Sequence, residues 1–508
     1  MILENGVVRT MDSSLPTTGA LAIAGDHVAG GVGTHETALA SPDVVDLGGR
    51  SVIPGLTDSH VHFPSWAVAR RLIGLEDAAS ADDAAARAKA GLDGLADGRW
   101  LRAEGFREAD WPAAPTSAAL DAVTGEVPAA LVSKDHHAIW LNSAAIAQAG
   151  GDLRAYDVPG GVVEVDEGGE PTGLLREESA WRFKEDHLEY SDAEYLEAMR
   201  EGLKVAASRG VTAIHDKDGW LPSIPRLWQE LERNDELRLR VWQSIPHEQL
   251  DGVAAAGVAS GLGGALLRLG YLKVFMDGTL GSQTALMTDG TGVEITTREE
   301  LADILRRSAR ARWPVAVHAI GDLANTNALD AFEETRDEWQ PLGLRHRIEH
   351  AQCLRAEDVG RFAPLDLTAS VQFSHSPSDE ELAGRFWADR LDGTYSFRDL
   401  LTAGTRLING SDAPIEDLDP WSGICAGVLG HWRADQRVTA EEALVAVTVG
   451  PAWQTYDERR RGKLLPGYLA DLVVLDRDPL AIPPEELPEV QVVATMVGGR
   501  WTHNPPPW

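Results

Sequence analysis

Short runs in which apolar and polar residues alternate, broken by glycine turns, open the chain: ILENGVVRTM, GALAIAGDHVAG and DVVDLGGRSVIPG. A period of two reads as half-buried strand, and Asn5-Gly6 and Gly48-Gly49 read as turns. The same texture returns at the other end, in GKLLPGYLADLVVLDRDP and VQVVATMVGGRWTH. Neither end has enough strand to close a sheet alone. One small β-sandwich domain assembled from residues 1–52 and 460–508 is therefore expected.

Between these ends the pattern changes. Brief apolar runs alternate with helix-period segments such as TREELADILRRSARAR and NTNALDAFEETRDEW, as in repeated βα units around a parallel sheet. Eight runs qualify as strands: SVIPGLTDSHVH, GVTAIHD, RLRVWQSIP, RLGYLKVFMDG, WPVAVHAIGD, LRHRIEHAQ, LDLTASVQFSH and TRLINGSDAP. They predict an α/β fold, a (β/α)8 TIM-like barrel over 53–64 and 202–459. The gap after the first strand is too long for one crossover helix. Residues 65–201 are expected to form an inserted α/β subdomain with its own strands RWLRAEGF and PAALVSKDHH, covering a substrate pocket.

Composition narrows the partners. With 508 residues the chain exceeds one ordinary core. A formal net charge of −33 opposes binding to nucleic-acid phosphates and anionic lipid surfaces. Two cysteines, Cys353 and Cys425, exclude a disulfide framework and a cysteine-based zinc cluster, and they fit a reducing compartment. The opening MILENGVVRTMD lacks a basic stretch before an apolar core, and no apolar run approaches the ~18 residues that span a bilayer. These features predict a cytoplasmic protein with no nucleic-acid or membrane partner; a homodimer is the base-rate expectation.

The chemistry lies at the strand ends. His60 and His62 close the first strand, and residues i and i+2 share a face, so both imidazoles can address one point. His215 and Asp216 close the second, Lys273 lies in the fourth, and His318 closes the fifth. His350 closes the sixth, His375 follows the seventh, and Asp412 closes the eighth. Parallel strands bring all these ends to one mouth. A single His-x-His pair is a weak motif; repetition around a barrel is a metal-site pattern. Lys273 sits among Leu272, Val274, Phe275 and Met276. There it is either paired with an acid such as Asp277 or neutral and able to take up carbon dioxide as a carbamate.

Nine segments resemble the amidohydrolase superfamily, and within it the YtcJ-like group that includes N-substituted formamide deformylases. They are VIPGLTDSHVH, DHHAIWLNSAAIAQAG, GEPTGLLRE, GVTAIHD, LKVFMDGTLGSQTA, VAVHAIGD, RIEHAQ, GSDAPIEDLDPWSGI and KLLPGYLADLVVLDRDP, in order from near residue 50 to near 480. The resemblance implies His60 and His62 on the more buried metal and Lys273 as a carbamylated bridge. It implies His318 and His350 on a second metal, and Asp412 as ligand and proton shuttle. His137 matches a group-typical histidine of the insert, a substrate contact. His136 departs from the pattern, standing where relatives carry glycine.

These parts predict a metal-dependent hydrolase that cleaves a non-peptide carbon–nitrogen bond in a small amide, formamide or related acyl-amine. One or two divalent ions, Zn2+ first among them, lower the pKa of bound water to about 7 so that hydroxide attacks at neutral pH. Asp412 moves the proton, and His137 or His215 hydrogen-bonds the oxyanion, with Asp277 and His375 as further substrate contacts. The same barrel also supports deamination, cyclic amide or ester hydrolysis and isomerisation, and a silent scaffold is the remaining alternative. Trp66, Trp100, Trp111, Trp140 and Trp181 either line an apolar pocket or, slightly favoured, fill the insert's own core. GTLGSQTALM lacks the Gly-Lys-Ser/Thr ending of a P-loop and reads as a substrate loop.

Overall fold

The computed structural model describes residues 1–29, 41, 43–95, 98–219, 221 and 223–508; the expected strand run GALAIAGDHVAG ends on Gly30, outside them. Both ends of the chain meet in one sheet. Ile2–Arg9, Thr17–Ala24, His27–Val28, Val44–Asp46 and Ser51–Pro54 come from the front, with Leu472–Leu475, Val492–Val497 and Arg500–His503 from the back. Ser51–Pro54 runs antiparallel to Leu472–Leu475, pairing Pro54 with Leu472 and Ser51 with Leu475. Neither half has this partner by itself, which is why the two ends are interdependent. Leu3, Val8, Leu21, Val52, Leu472, Val474 and Met496 are fully buried against one another. The pairing forms one continuous eight-stranded sheet among the described residues, where a sandwich of two sheets was expected.

The run SVIPGLTDSHVH, expected as one strand, is two. Ser51–Pro54 belongs to the terminal sheet and Leu56–Val61 opens the barrel. Gly55 makes the transfer against the neighbouring strand: a Cβ there would lie 2.2 Å from Thr212 Oγ1, so no larger residue fits without displacement.

Eight parallel strands form the barrel: β1 (Leu56–Val61), β2 (Val211–Asp216), β3 (Arg240–Pro246), β4 (Leu267–Phe275), β5 (Val315–Ala319), β6 (Arg347–His350), β7 (Thr368–Val371) and β8 (Arg406–Asn409). Each pairs with its neighbour in chain order. The last gap is nearly closed past the end of β8, where Asp412 N–H donates to His60 O at 2.7 Å and His62 N–H to Ala413 O at 2.8 Å. The helix Arg298–Ala311 starts at a capping box made by Thr297 and Glu300. Asp322–Glu334 begins three residues ahead of the predicted NTNALDAF segment, with Asp322 at the positive helix end.

Between β1 and β2 the insert builds a six-stranded sheet. Leu101–Phe106 and Ala129–Ser133 are the two anticipated strands, but PAALVSKDHH leaves the sheet at Ser133 and turns before Ala138–Leu141. Trp140 packs edge-on against both Phe106 and Trp111 in the insert's core. Trp66 packs against Phe63 beside the barrel, and Trp100 against Phe183. Of the five tryptophans singled out, only Trp181 reaches the cavity.

Candidate functional site

At the carboxyl end of β1, His60 and His62 face the same point, with ring centroids 5.7 Å apart. Asp412 arrives from the chain beyond β8 with φ +58, and His350 ends β6 with φ +72. Left-handed backbone is costly for such residues, and it collects at sites where a side chain is aimed against its neighbours' preferences. Asp412 Oδ1 lies 3.2 Å from His60 Nε2 and 3.4 Å from His62 Nε2. Its other oxygen lies 4.0 Å from His350 Nδ1 and 3.9 Å from His375 Nε2. Two groups of potential ligand atoms result, His60–His62–Asp412 and His350–His375–Asp412, each with all its atoms within 4.8 Å of one another.

Each of four imidazoles is held from behind. His60 Nδ1 meets Glu349 Oε2 at 2.8 Å, His62 Nδ1 meets Asp218 Oδ1 at 2.8 Å, and His350 Nδ1 meets Gln372 Oε1 at 2.8 Å. His318 Nε2 lies 3.1 Å from Gly278 O, leaving its Nδ1 lone pair. Such partners set the tautomer and aim the remaining nitrogen, as groups behind metal ligands do. Burial holds His60 and His318 well below the usual imidazole range and His350 at about 3, so all three are neutral, the form that ligates. His62 differs: against the effect of burial, Asp218 and Asp412 raise it to about 9. Against the same effect, His60, His62 and His350 hold Asp412 ionised.

Buried His60 Nε2 and Lys273 Nζ make no hydrogen bond. Lys273 is 2% exposed and lies over the Phe275 ring at 4.6 Å; burial lowers it to about 8. Unpartnered nitrogen atoms, neutral imidazoles and a carboxylate facing one space fit a divalent cation.

Two candidates lie elsewhere. His215 is buried beneath the mouth, where its Nδ1 accepts from Arg347 Nη1 at 3.1 Å. It does not line the cavity over the histidines, where a substrate or oxyanion contact was expected. Asp277, also absent from the cavity wall and fully buried, accepts backbone N–H groups of Leu286 (2.9 Å), Ile320 (3.0 Å) and Gly321 (2.7 Å). It ties the loops after β4 and β5 together, and among the described residues Lys273 makes no ion pair with it. Both residues follow the strand-end pattern but point away from the mouth.

Glu349, a charged residue in the barrel interior, is not among the residues expected at the site. Lys217 Nζ donates to its Oε1 at 2.8 Å and Arg347 Nε lies 2.8 Å from the same oxygen, all at 0% exposure. Despite burial, these two cations keep Glu349 well below the usual carboxylate range. A signal was present: Arg347 and Glu349 alternate on one face of a strand, beside His350.

A cavity of about 480 Å³ lies over the histidines, and His60, His62, Lys273, His318, His350, His375 and Asp412 all line it. The insert supplies much of the opposite wall, including Glu104, His136, His137 and Trp181. His137 Nδ1 meets buried Glu177 at 2.5 Å, and its ring stacks on His318 with centroids 5.8 Å apart. Burial opposes its protonation, but Glu177 raises its pKa above the ordinary value. Thr279, Leu280 and Gly281 of the loop after β4 complete the wall, and Thr279 and Ser282 hydroxyls donate to Asp135.

His136 has φ +61, a backbone region that glycine enters freely. Its Nε2 lies 3.8 Å from Glu104 across the cavity wall. His136→Gly trades left-handed strain for glycine's extra chain entropy, each about 1 kcal/mol, so the melting temperature should move by less than about 2 °C. The variant should open the cavity wall to bulkier ligands; relative binding across a size series tests this.

A family profile described as "Amidohydrolase family" matches residues 43–503. YtcJ of Bacillus subtilis (strain 168) is 30% identical over 98% of this chain and 98% of its own length. An N-substituted formamide deformylase of Arthrobacter pascens is 26% identical over 98% of this chain and 97% of its own. The crystal structure of a metal-dependent hydrolase from Pyrococcus horikoshii OT3 superposes with a TM-score of 0.77 at 28% identity, covering 95% of this chain and 99% of that one.

Proposed function

Because the chain belongs to the amidohydrolase family, metal-dependent hydrolases of carbon–nitrogen bonds, we propose that its substrate is a small non-peptide acyl-amine: an amide, a formamide or a close relative. One observation carries this reading. The Asp412 carboxylate stands between two pairs of histidines at the floor of a cavity sized for a small molecule. The deformylase named among the relatives supports including formamides.

In this reading His60, His62 and Asp412 hold a divalent ion, Zn2+ first among candidates. Lys273 and His318 join His350 around a second ion where two are present. Burial favours the neutral Lys273 amine, which adds carbon dioxide and releases a proton to become a carbamate. When bound, such an ion supplies a nucleophilic water near neutral pH and polarises the substrate carbonyl. Asp412 would take the proton of the attacking water and return it to the departing amine nitrogen. His137, whose pKa Glu177 raises against the effect of burial, donates to the carbonyl oxygen as charge develops there. The insert wall keeps bulk water away. Two unpaired cysteines support a cytoplasmic location, and no helix among the described residues is long and apolar enough to cross a membrane.

The test is reconstitution. Chelated protein should have no amidase or deformylase activity on a panel of N-substituted amides and formamides. Zn2+ with bicarbonate should restore it, and Zn2+ without bicarbonate should restore much less. A panel with no turnover under any loading would remove the reading.

A further inference from the structure

Below the histidines the barrel interior is polar, where such interiors are ordinarily filled by layers of Val, Ile and Leu. Ile348 of β6 and Ala369 and Val371 of β7 pack outward into the core between strands and helices, so alternation turns Arg347, Glu349 and Ser370 inward. Arg347 crosses from β6 to the far wall, where its Nη1 lies 3.2 Å from Ser59 O on β1 and 3.1 Å from His215 Nδ1 on β2. Four polar atoms of this interior, Ser59 Oγ, His215 Nε2, Arg347 Nη2 and Ser370 Oγ, are buried without a hydrogen-bond partner among the described residues. Each such group in a folded chain calls for a bound water or ion.

All four can donate. Arginine has no acceptor, so His215 Nδ1 accepts from Arg347 through its lone pair and His215 Nε2 carries the ring hydrogen. Burial keeps this imidazole neutral. Arg347 Nη2 is a donor, and each serine hydroxyl has a hydrogen to give. Charge points the same way. Arg347 and Lys217 both lie 2.8 Å from Glu349 Oε1, and all three are fully buried. Two cations thus share one carboxylate, whose other oxygen is taken by His60 Nδ1. Burial and Arg347 push Lys217 down to about 7 against the pull of Glu349, as befits positive charge short of its counter-charge. The Tyr271 ring, 4.3 Å from Arg347 Cζ, supplies none.

We propose that the barrel interior binds a small monovalent anion of the chloride class, held by Arg347 Nη2, His215 Nε2 and the hydroxyls of Ser59 and Ser370. Such an ion satisfies the orphaned donors and balances the surplus cation; a water molecule would do only the first. It touches no substrate and stands whether or not the chain cleaves amides.

Full-length wild type is exchanged into sodium bromide and crystallised, with data at wavelengths that detect both bromide and residual chloride. The expected result is an anomalous peak inside the barrel, within hydrogen-bond reach of Arg347 Nη2 and His215 Nε2. In solution, thermal unfolding is followed in chloride, bromide and gluconate at equal ionic strength. Above saturation each tenfold rise in halide should raise the melting temperature by about 1–2 °C beyond any effect of gluconate. Ser370→Ala removes one donor at small structural cost, and the halide concentration at which the rise begins should be about 10-fold higher in that variant. Should Ser370→Ala fail to fold, the wild-type crystal decides. Interior density without anomalous signal would identify water and overturn the proposal. So would halide peaks confined to the surface, or a melting temperature no more sensitive to halide than to gluconate. None of these outcomes bears on the hydrolase reading, which the metal reconstitution tests separately.

Discussion

Asp412→Asn is expected to lower kcat by about 10²–10⁴-fold, the contribution typical of a positioned acid–base group, while most of the bound metal remains. Asparagine keeps an oxygen at the place where Asp412 faces His60 and His62 at 3.2 and 3.4 Å. It cannot accept a proton from water or pass one to a leaving nitrogen. The loss should therefore fall on kcat and on its pH profile, with KM changing little. Steady-state kinetics alongside metal analysis of the same preparations separates the two effects. Near-normal turnover in a fully loaded Asp412→Asn protein would take the proton-transfer role away from this residue.

The second large effect belongs to a residue that touches no substrate. Glu349→Gln leaves Lys217 and Arg347 as buried cations without their anion. Removing one partner of a buried ion pair costs about 3–5 kcal/mol, because the remaining charge stays desolvated. Denaturant midpoints should fall accordingly. The neutral amide also holds His60 Nδ1 less firmly, so metal affinity should drop about 10–100-fold. Combining Glu349→Gln with Lys217→Met removes one stranded cation and should recover part of the stability but little of the metal affinity. Strictly additive losses in the double variant would mean that the Lys217–Glu349 contact of 2.8 Å has no energetic coupling.

All eight barrel strands are legible along the chain because each βα unit carries its own periodicity, independent of distant partners. The first strand is the instructive exception. SVIP and LTDSHV are both apolar enough for a core, and nothing local says that one half joins Leu472–Leu475 while the other joins Val211–Asp216. That choice is made by strands about 160 and 420 residues away, and Gly55 only permits it. The candidate ligands are legible for a related reason: parallel strands place their carboxyl ends at one mouth whatever the loops between them. His215 and Asp277 obey the same rule and yet face inward or into loop backbone, because barrel tilt and stagger decide which strand-end side chains look out of the mouth. The groups behind the ligands, Glu349, Asp218 and Gln372, carried only weak local signals, since their partners lie 289, 156 and 22 residues away in the chain.

The sequence by itself determined the barrel class, the interrupted first βα unit, the joining of both ends in one β structure and the residue types available for metal chemistry. These follow from periodicity, spacing and composition, which are properties of neighbouring residues. Tertiary structure alone decided that Asp412 stands between two histidine pairs, that His375 joins one of them, and that an insert histidine supported by Glu177 closes the cavity. Those outcomes depend on side-chain direction at strand ends and on contacts between segments from tens to hundreds of residues apart, which no local pattern encodes.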